Sequence, residues 1–243
     1  MISERQLARG FAAKWREWAP FLDSAFLSAA ASGEVGWARC CRSWEAPMQL
    51  AGSHQMNDLI AEVAFGLFCE CVLSGLPLAG LGMDSREVVL RRAVGRIEVL
   101  RRTRLPLAGV VDERLLGEAE QLAARLFRYF DGKEGRIEVQ PLLSGVGFLN
   151  SCHPDLVFED AIIEVKMGVS PFRCSDVRQL ILYGALLRQS LPRREVGRLC
   201  LVNPRRGVAW EFPVEVLVQV ISGNSVQDFF DEIVTFLSGE ERA

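Results

Sequence analysis

Lysine is scarce in this chain. Of the 28 basic residues among 243, only Lys14, Lys133 and Lys166 are lysines. The skew toward arginine reads as genomic base composition, yet it makes the place of each lysine more telling. There are two histidines and no nucleophile elbow, so nothing supports Ser-His-Asp hydrolysis. The absence of a G-x(4)-G-K-[ST] loop excludes an ATP motor of that type. The seven cysteines form no C-x(2)-C pair, which disfavours zinc and iron–sulfur sites. An apolar signal core is missing as well, because MISERQLARGFAAKW is charged where one would sit. Free thiols in a reducing cytoplasm are therefore expected.

Long apolar runs are absent too. Residues 59–83 carry only Glu62 and Glu70 as charges, but Pro77 and several glycines break the second half. The apolar length between breaks falls short of the roughly 20 residues a membrane helix needs, so a buried helix is expected and no membrane contact. Neither sign of charge dominates. The formal net charge is −3, with 13 basic and 11 acidic groups in 1–111 and 15 and 20 in 112–243. Bulk charge thus gives no support for strong non-specific DNA binding, while a local basic groove stays open. With 49% apolar and 24% charged residues, the chain is neither disordered nor of low complexity.

The first half patterns as helix. Phe11, Trp15, Trp18, Leu22 and Phe26 recur at helical spacing within 3–30, and 55–74 ends at Gly75 and Pro77. Residues 31–53 read as irregular. Residues 84–104 form a further helix, with Asp84 or Ser85 as cap. A break at LPLAG, 105–109, suggests a helical N-terminal lobe over 1–109 and a second domain over 110–243.

The second half changes texture. A helix over 112–130, capped by Asp112, precedes strands at 136–142, 154–158 and 161–166. Glu159-Asp160 fits a tight hairpin between the last two. A helix over 175–189 with Ser175 as cap is followed by a hairpin of 197–203 with 208–213, then helix to 238. This order predicts an α/β layer with a mixed sheet.

The chemistry concentrates in PDLVFEDAIIEVK, residues 154–166. Residues two apart on a strand share a face, so Glu164 and Lys166 project together with Ile162. A tight hairpin sets Asp155 across from Glu164. Two carboxylates held close repel each other and suffer desolvation, unless a hard cation sits between them. Mg²⁺ suits such a site, because it takes one or two protein carboxylates and keeps several waters. A solvated strand face is the plainer alternative, but charges set in such apolar strands are usually paired or functional.

Pro154-Asp155 and Glu164-Val165-Lys166 together resemble the PD-(D/E)xK nuclease superfamily. The following helix carries Gln179 and Tyr183, which match the Q-x(3)-Y motif of its RecB-like members. The matched region spans roughly 112–203. The resemblance implies a restriction-endonuclease-like core, a mixed central sheet flanked by helices. It implies a Mg²⁺- or Mn²⁺-dependent nuclease acting on DNA, of a kind found in bacterial defence, repair or mobile-element systems. Asp155, Glu164 and the Val165 carbonyl would bind metal, Lys166 would assist the water, and Gln179 and Tyr183 would support the site. The family usually adds an acid from the helix before the sheet. Glu118 and Glu120 both lie at the edges of that helix's apolar stripe, so geometry does not choose. The spacing from Glu120 through Ala123 to Phe127 looks like that of resolvase-like members and favours Glu120. His153 could share the face of Asp155. Arginines 86, 91, 92, 96, 101, 102 and 104 offer a phosphate-contacting arm or, more plainly, a solvated helix. The same fold also serves as a silent subunit, so a protein partner or a homo-oligomer is the competing expectation.

Overall fold

The structure is a computed structural model that describes residues 1–36, 38–49, 56–101, 113–190 and 195–239. Three short helices open the chain: α1 (Glu4–Gly10), α2 (Ala12–Trp18) and α3 (Ser24–Ser32). Ser3 and Gln6 cap α1 reciprocally, each side chain accepting the other's backbone N–H. Asp23 caps α3 by accepting the N–H groups of Ala25 and Phe26. Strands β1 (Glu34–Val35) and β2 (Ala38–Arg39) form a two-residue ribbon, and β3 (Cys41–Ser43) follows. Next come the long helices α4 (Asn57–Ser74), α5 (Met83–Arg101) and α6 (Glu113–Phe130).

The remaining elements are β4 (Ile137–Val139), β5 (Leu156–Phe158), β6 (Ala161–Val165), α7 (Cys174–Ser190), β7 (Arg198–Asn203), β8 (Val208–Pro213), α8 (Val214–Ser222) and α9 (Val226–Ser238). They build a six-stranded sheet in the order β3-β8-β7-β6-β5-β4. Only β6 and β7 run parallel, joined through α7. The architecture is α/β, with a mixed central sheet flanked by helices.

Strand alternation sorts the core into two layers. Val157, Ile162, Leu199 and Leu201 face a layer that includes α1–α3 and α7–α9. Leu156, Ile163, Cys200 and Val202 face α4, α5 and α6. The apolar stripe of α6 (Leu115, Ala119, Leu122, Leu126, Phe130) is buried as its periodicity requires. Among the described residues no helix is long and apolar enough to cross a membrane. Residues 59–74 lie within α4, which packs on α5 and α6.

Several local expectations change. The stretch 31–53 is not simply irregular, because β3 pairs with β8 at the sheet edge. Asp84 and Ser85 lie within the first turn of α5, whose range begins at Met83. Ser175 is likewise inside α7, and Asp176 caps that helix by accepting the Arg173 N–H at 2.8 Å. The strand foreseen over 136–142 is shorter, because Gln140 turns into the left-handed region (φ 46°). Asp112, the break at 105–109, and Arg102 and Arg104 lie outside the described residues. On either side of that break the elements interlock. Helix α1 lies on α7, α4 lies on α6, and β3 belongs to the main sheet.

One tether matters for the site. Ile2 N–H donates to Phe148 O, and Phe148 N–H to Leu237 O, which fastens the start of α1 through the 144–151 loop to α9. Gly147 makes this approach possible: its φ is +54°, and a Cβ there would collide with the Leu237 carbonyl.

Candidate functional site

The site forms where β5 begins and β6 ends. Phe158 pairs with Ala161 across the Glu159-Asp160 turn, with Glu159 at φ 52°. Continued outward, this register sets Asp155 opposite Glu164. Asp155 Oδ2 accepts the Val165 N–H at 2.7 Å, which locks the acid against the neighbouring strand. Glu164 is 2% exposed. Its Oε1 receives the Lys166 ammonium at 2.9 Å, whereas its buried Oε2 has no hydrogen-bond partner. A buried carboxylate oxygen left unpaired is costly.

Asp155 is also under strain. Burial, then the charge of Glu164, pushes its carboxyl well above the usual carboxylate range. The Val165 N–H, Lys166 and Arg5 offset this only in part. For Lys166 the balance runs the other way. Burial opposes its charge, but Glu164, Asp176 (3.5 Å) and Asp155 outweigh burial and raise its pKa.

Helix α7 supplies the support. Gln179 and Tyr183 are four residues apart and share a helix face. Gln179 Oε1 accepts from Lys166 Nζ at 3.2 Å. Gln179 Nε2 donates to Tyr183 Oη at 2.7 Å and to Glu4 Oε1 at 3.4 Å. Burial drives the Tyr183 hydroxyl far above its ordinary value, so it stays a neutral phenol. Asp155, Glu164, Lys166, Gln179 and Tyr183 thus form one connected set.

Glu120 does not join them. It pairs with Arg86, which also donates to the Leu78 and Leu81 carbonyls. Glu118 is buried with Arg205 at 2.5 Å, and Arg205 Nε holds the Met167 carbonyl at 2.8 Å. The reason is the strand alternation. Glu164 shares the face of Ile162, while α6 packs on the face of Ile163. Two acids reach the set from helices: Asp176 of α7, 3.5 Å from Lys166, and, from the far end of the chain, Glu4 of α1. Local pattern offers no signal for Glu4, because an acid in a first turn reads as a dipole complement. Arg5 is the other unforeseen neighbour; Glu164, Tyr183, Asp155 and Glu4 all raise its pKa against burial.

Glu4, Arg5, Asp155, Glu164, Lys166 and Asp176 line a cleft of about 900 Å³. Its wall on the α1/α7 side carries Arg5, Arg9 and Arg173. The α4/α5 wall carries Ala61, Phe65 and Ile97, together with the ion pairs Arg96–Glu62 (2.9 Å) and Arg101–Asp58 (2.8 Å). Of the arginines singled out on α5, Arg96 and Arg101 reach the cleft, whereas Arg91 pairs with Glu87. His153 stands at the rim with Nδ1 on the Gln140 carbonyl at 2.9 Å. The seven cysteines are free thiols.

The donor set bears on metal choice. Among the described residues no group of three or more His, Cys, Asp and Glu side chains is gathered for a metal. The site instead offers two carboxylates, with the Val165 backbone at the cleft wall. The unpaired Glu164 Oε2 beside Asp155 fits a hard cation that brings its own waters. No family model matches the chain, and no curated protein matches it.

Proposed function

We propose that this chain is a metal-dependent nuclease of the PD-(D/E)xK type that hydrolyses phosphodiester bonds in DNA. One observation carries the reading. A buried carboxylate oxygen of Glu164 lacks a partner, next to a second carboxylate that it destabilises. Asp155, Glu164 and the Val165 carbonyl would hold Mg²⁺ or Mn²⁺. Such an ion, when bound, polarises a phosphoryl oxygen and lowers the pKa of a coordinated water.

The remaining steps belong to the chain's own residues. The Lys166 ammonium serves as a donor and a charge. One of its protons is committed to Glu164 and another to Gln179. This fixes the ammonium in the cleft, where it orients the attacking water and offsets charge building on the phosphoryl oxygens. Gln179 is itself held by Tyr183 and Glu4, which makes all three positioning residues. The arginines of the α1/α7 wall neutralise flanking phosphates.

The test is cleavage of labelled DNA by the purified chain with Mg²⁺, with Mn²⁺ and with EDTA. Metal-dependent cleavage that Lys166→Ala or Asp155→Ala lowers by at least about a hundredfold, in variants whose cooperative melts show that they are folded at the assay temperature, supports the reading. Cleavage that survives both substitutions contradicts it.

A further inference from the structure

We infer that the cleft is built for a single nucleic-acid strand and not for a duplex; the inference rests on the nuclease reading of the same cleft. Its two walls differ in kind. On the α1/α7 side Arg9 and Arg173 have no side-chain partner among the described residues, while Arg5 beside them pairs with Glu4 at 3.7 Å and lies toward the acids. Arg5 and Arg9 are four apart on α1 and share a face. On the opposite wall the charges are already paired, Arg96 with Glu62 and Arg101 with Asp58. Between those pairs the surface is apolar, formed by Ala61, Ile97 and the half-buried ring of Phe65.

A single strand has the matching asymmetry. Its phosphates lie along one side, and its unpaired bases offer flat apolar faces on the other. A duplex presents phosphates on both flanks and keeps its bases stacked and paired inside. The depth of the acids points the same way. Glu164, at 2% exposure, lies on the cleft floor between walls contributed by opposite layers of the sheet. A strand threads between such walls. Phosphates of Arg9 and Arg173 would then flank the scissile bond, and a base would stack on Phe65.

Fluorescence anisotropy tests this with the full chain carrying Lys166→Ala, in Ca²⁺, so that the nucleic acid survives. The probes are a labelled oligothymidine and a blunt duplex of equal length. The single strand should bind roughly tenfold tighter or better. Arg9→Ala and Arg173→Ala should each reduce the log–log salt slope by about 0.7. Phe65→Leu keeps apolar volume at the wall; it should weaken single-strand binding roughly tenfold with the salt slope unchanged. Melting curves confirm that each variant is folded. Equal or tighter duplex binding, or an unaltered affinity in Phe65→Leu, overturns the single-strand inference and leaves the nuclease reading standing. Binding of neither probe overturns both.

Discussion

Replacing Asp155 by asparagine is expected to stabilise the metal-free protein while removing its response to magnesium. Asparagine keeps a side-chain oxygen to accept the Val165 N–H, so the main structural bond survives and only the charge is lost. Cross-strand partners sit with Cβ atoms about 5 Å apart. Two unit charges at that separation repel by about 3 kcal/mol at an effective dielectric near 20. Lys166, 2.9 Å from Glu164, offsets part of this. A net gain of about 1–2 kcal/mol remains, or about 2–8 °C in Tm for a domain of this size.

The pH dependence has a definite sign. A carboxyl whose folded pKa is raised binds its proton more tightly in the folded state. Its contribution is therefore present at acid pH and is lost as pH climbs from about 3.9, the unfolded value, through the raised folded value. The advantage of Asp155→Asn over wild type should thus be small near the bottom of that window and full above it. Differential scanning calorimetry in EDTA across this range reads it directly. Adding Mg²⁺ at about a hundred times its Kd should then raise wild type by about 2.7 kcal/mol and leave the variant where it was. A variant that melts at or below wild type at neutral pH in EDTA refutes the reasoning.

Other outcomes follow from the same contacts. Glu120→Ala should leave cleavage within about twofold of wild type, since Glu120 meets Arg86 and not the site, whereas Glu4→Ala should lower kcat about tenfold or more by loosening Gln179. Tyr183→Phe deprives Gln179 Nε2 of its closer acceptor, and should cost about 1–2 kcal/mol of stability together with a severalfold drop in kcat, read by melts and steady-state rates. Arg205→Ala breaks the buried ion pair with Glu118; it should lower stability by about 3–5 kcal/mol in urea unfolding, far more than loss of any exposed ion pair.

Much of the core of the site was legible from pattern. The Glu159-Asp160 turn, with period-two alternation, was enough to set Asp155 across from Glu164 and to put Lys166 on the same face. Gln179 and Tyr183 were legible because both lie on one helix, four residues apart. What escaped the reading depends on contacts distant in sequence. Helix α1 reaches the site only because it packs on α7, some 170 residues away, and because Ile2 is tied to Phe148. No local periodicity encodes that docking, so Glu4 and Arg5 went unseen. Spacing within its own helix favours Glu120, but α6 packs on the sheet face opposite to that of Glu164. The edge strand β3 was missed for a similar reason. The three residues Cys41–Ser43 carry no strand signature until β8 pairs with them.

The claim that Asp155 and Glu164 form a divalent-cation site is tested most directly by titrating Mg²⁺ into the metal-free protein in a calorimeter, for wild type and for Asp155→Asn. Saturable binding by wild type, lost in the folded variant, is the result predicted. Equal binding by both, or none by a folded wild type, contradicts it.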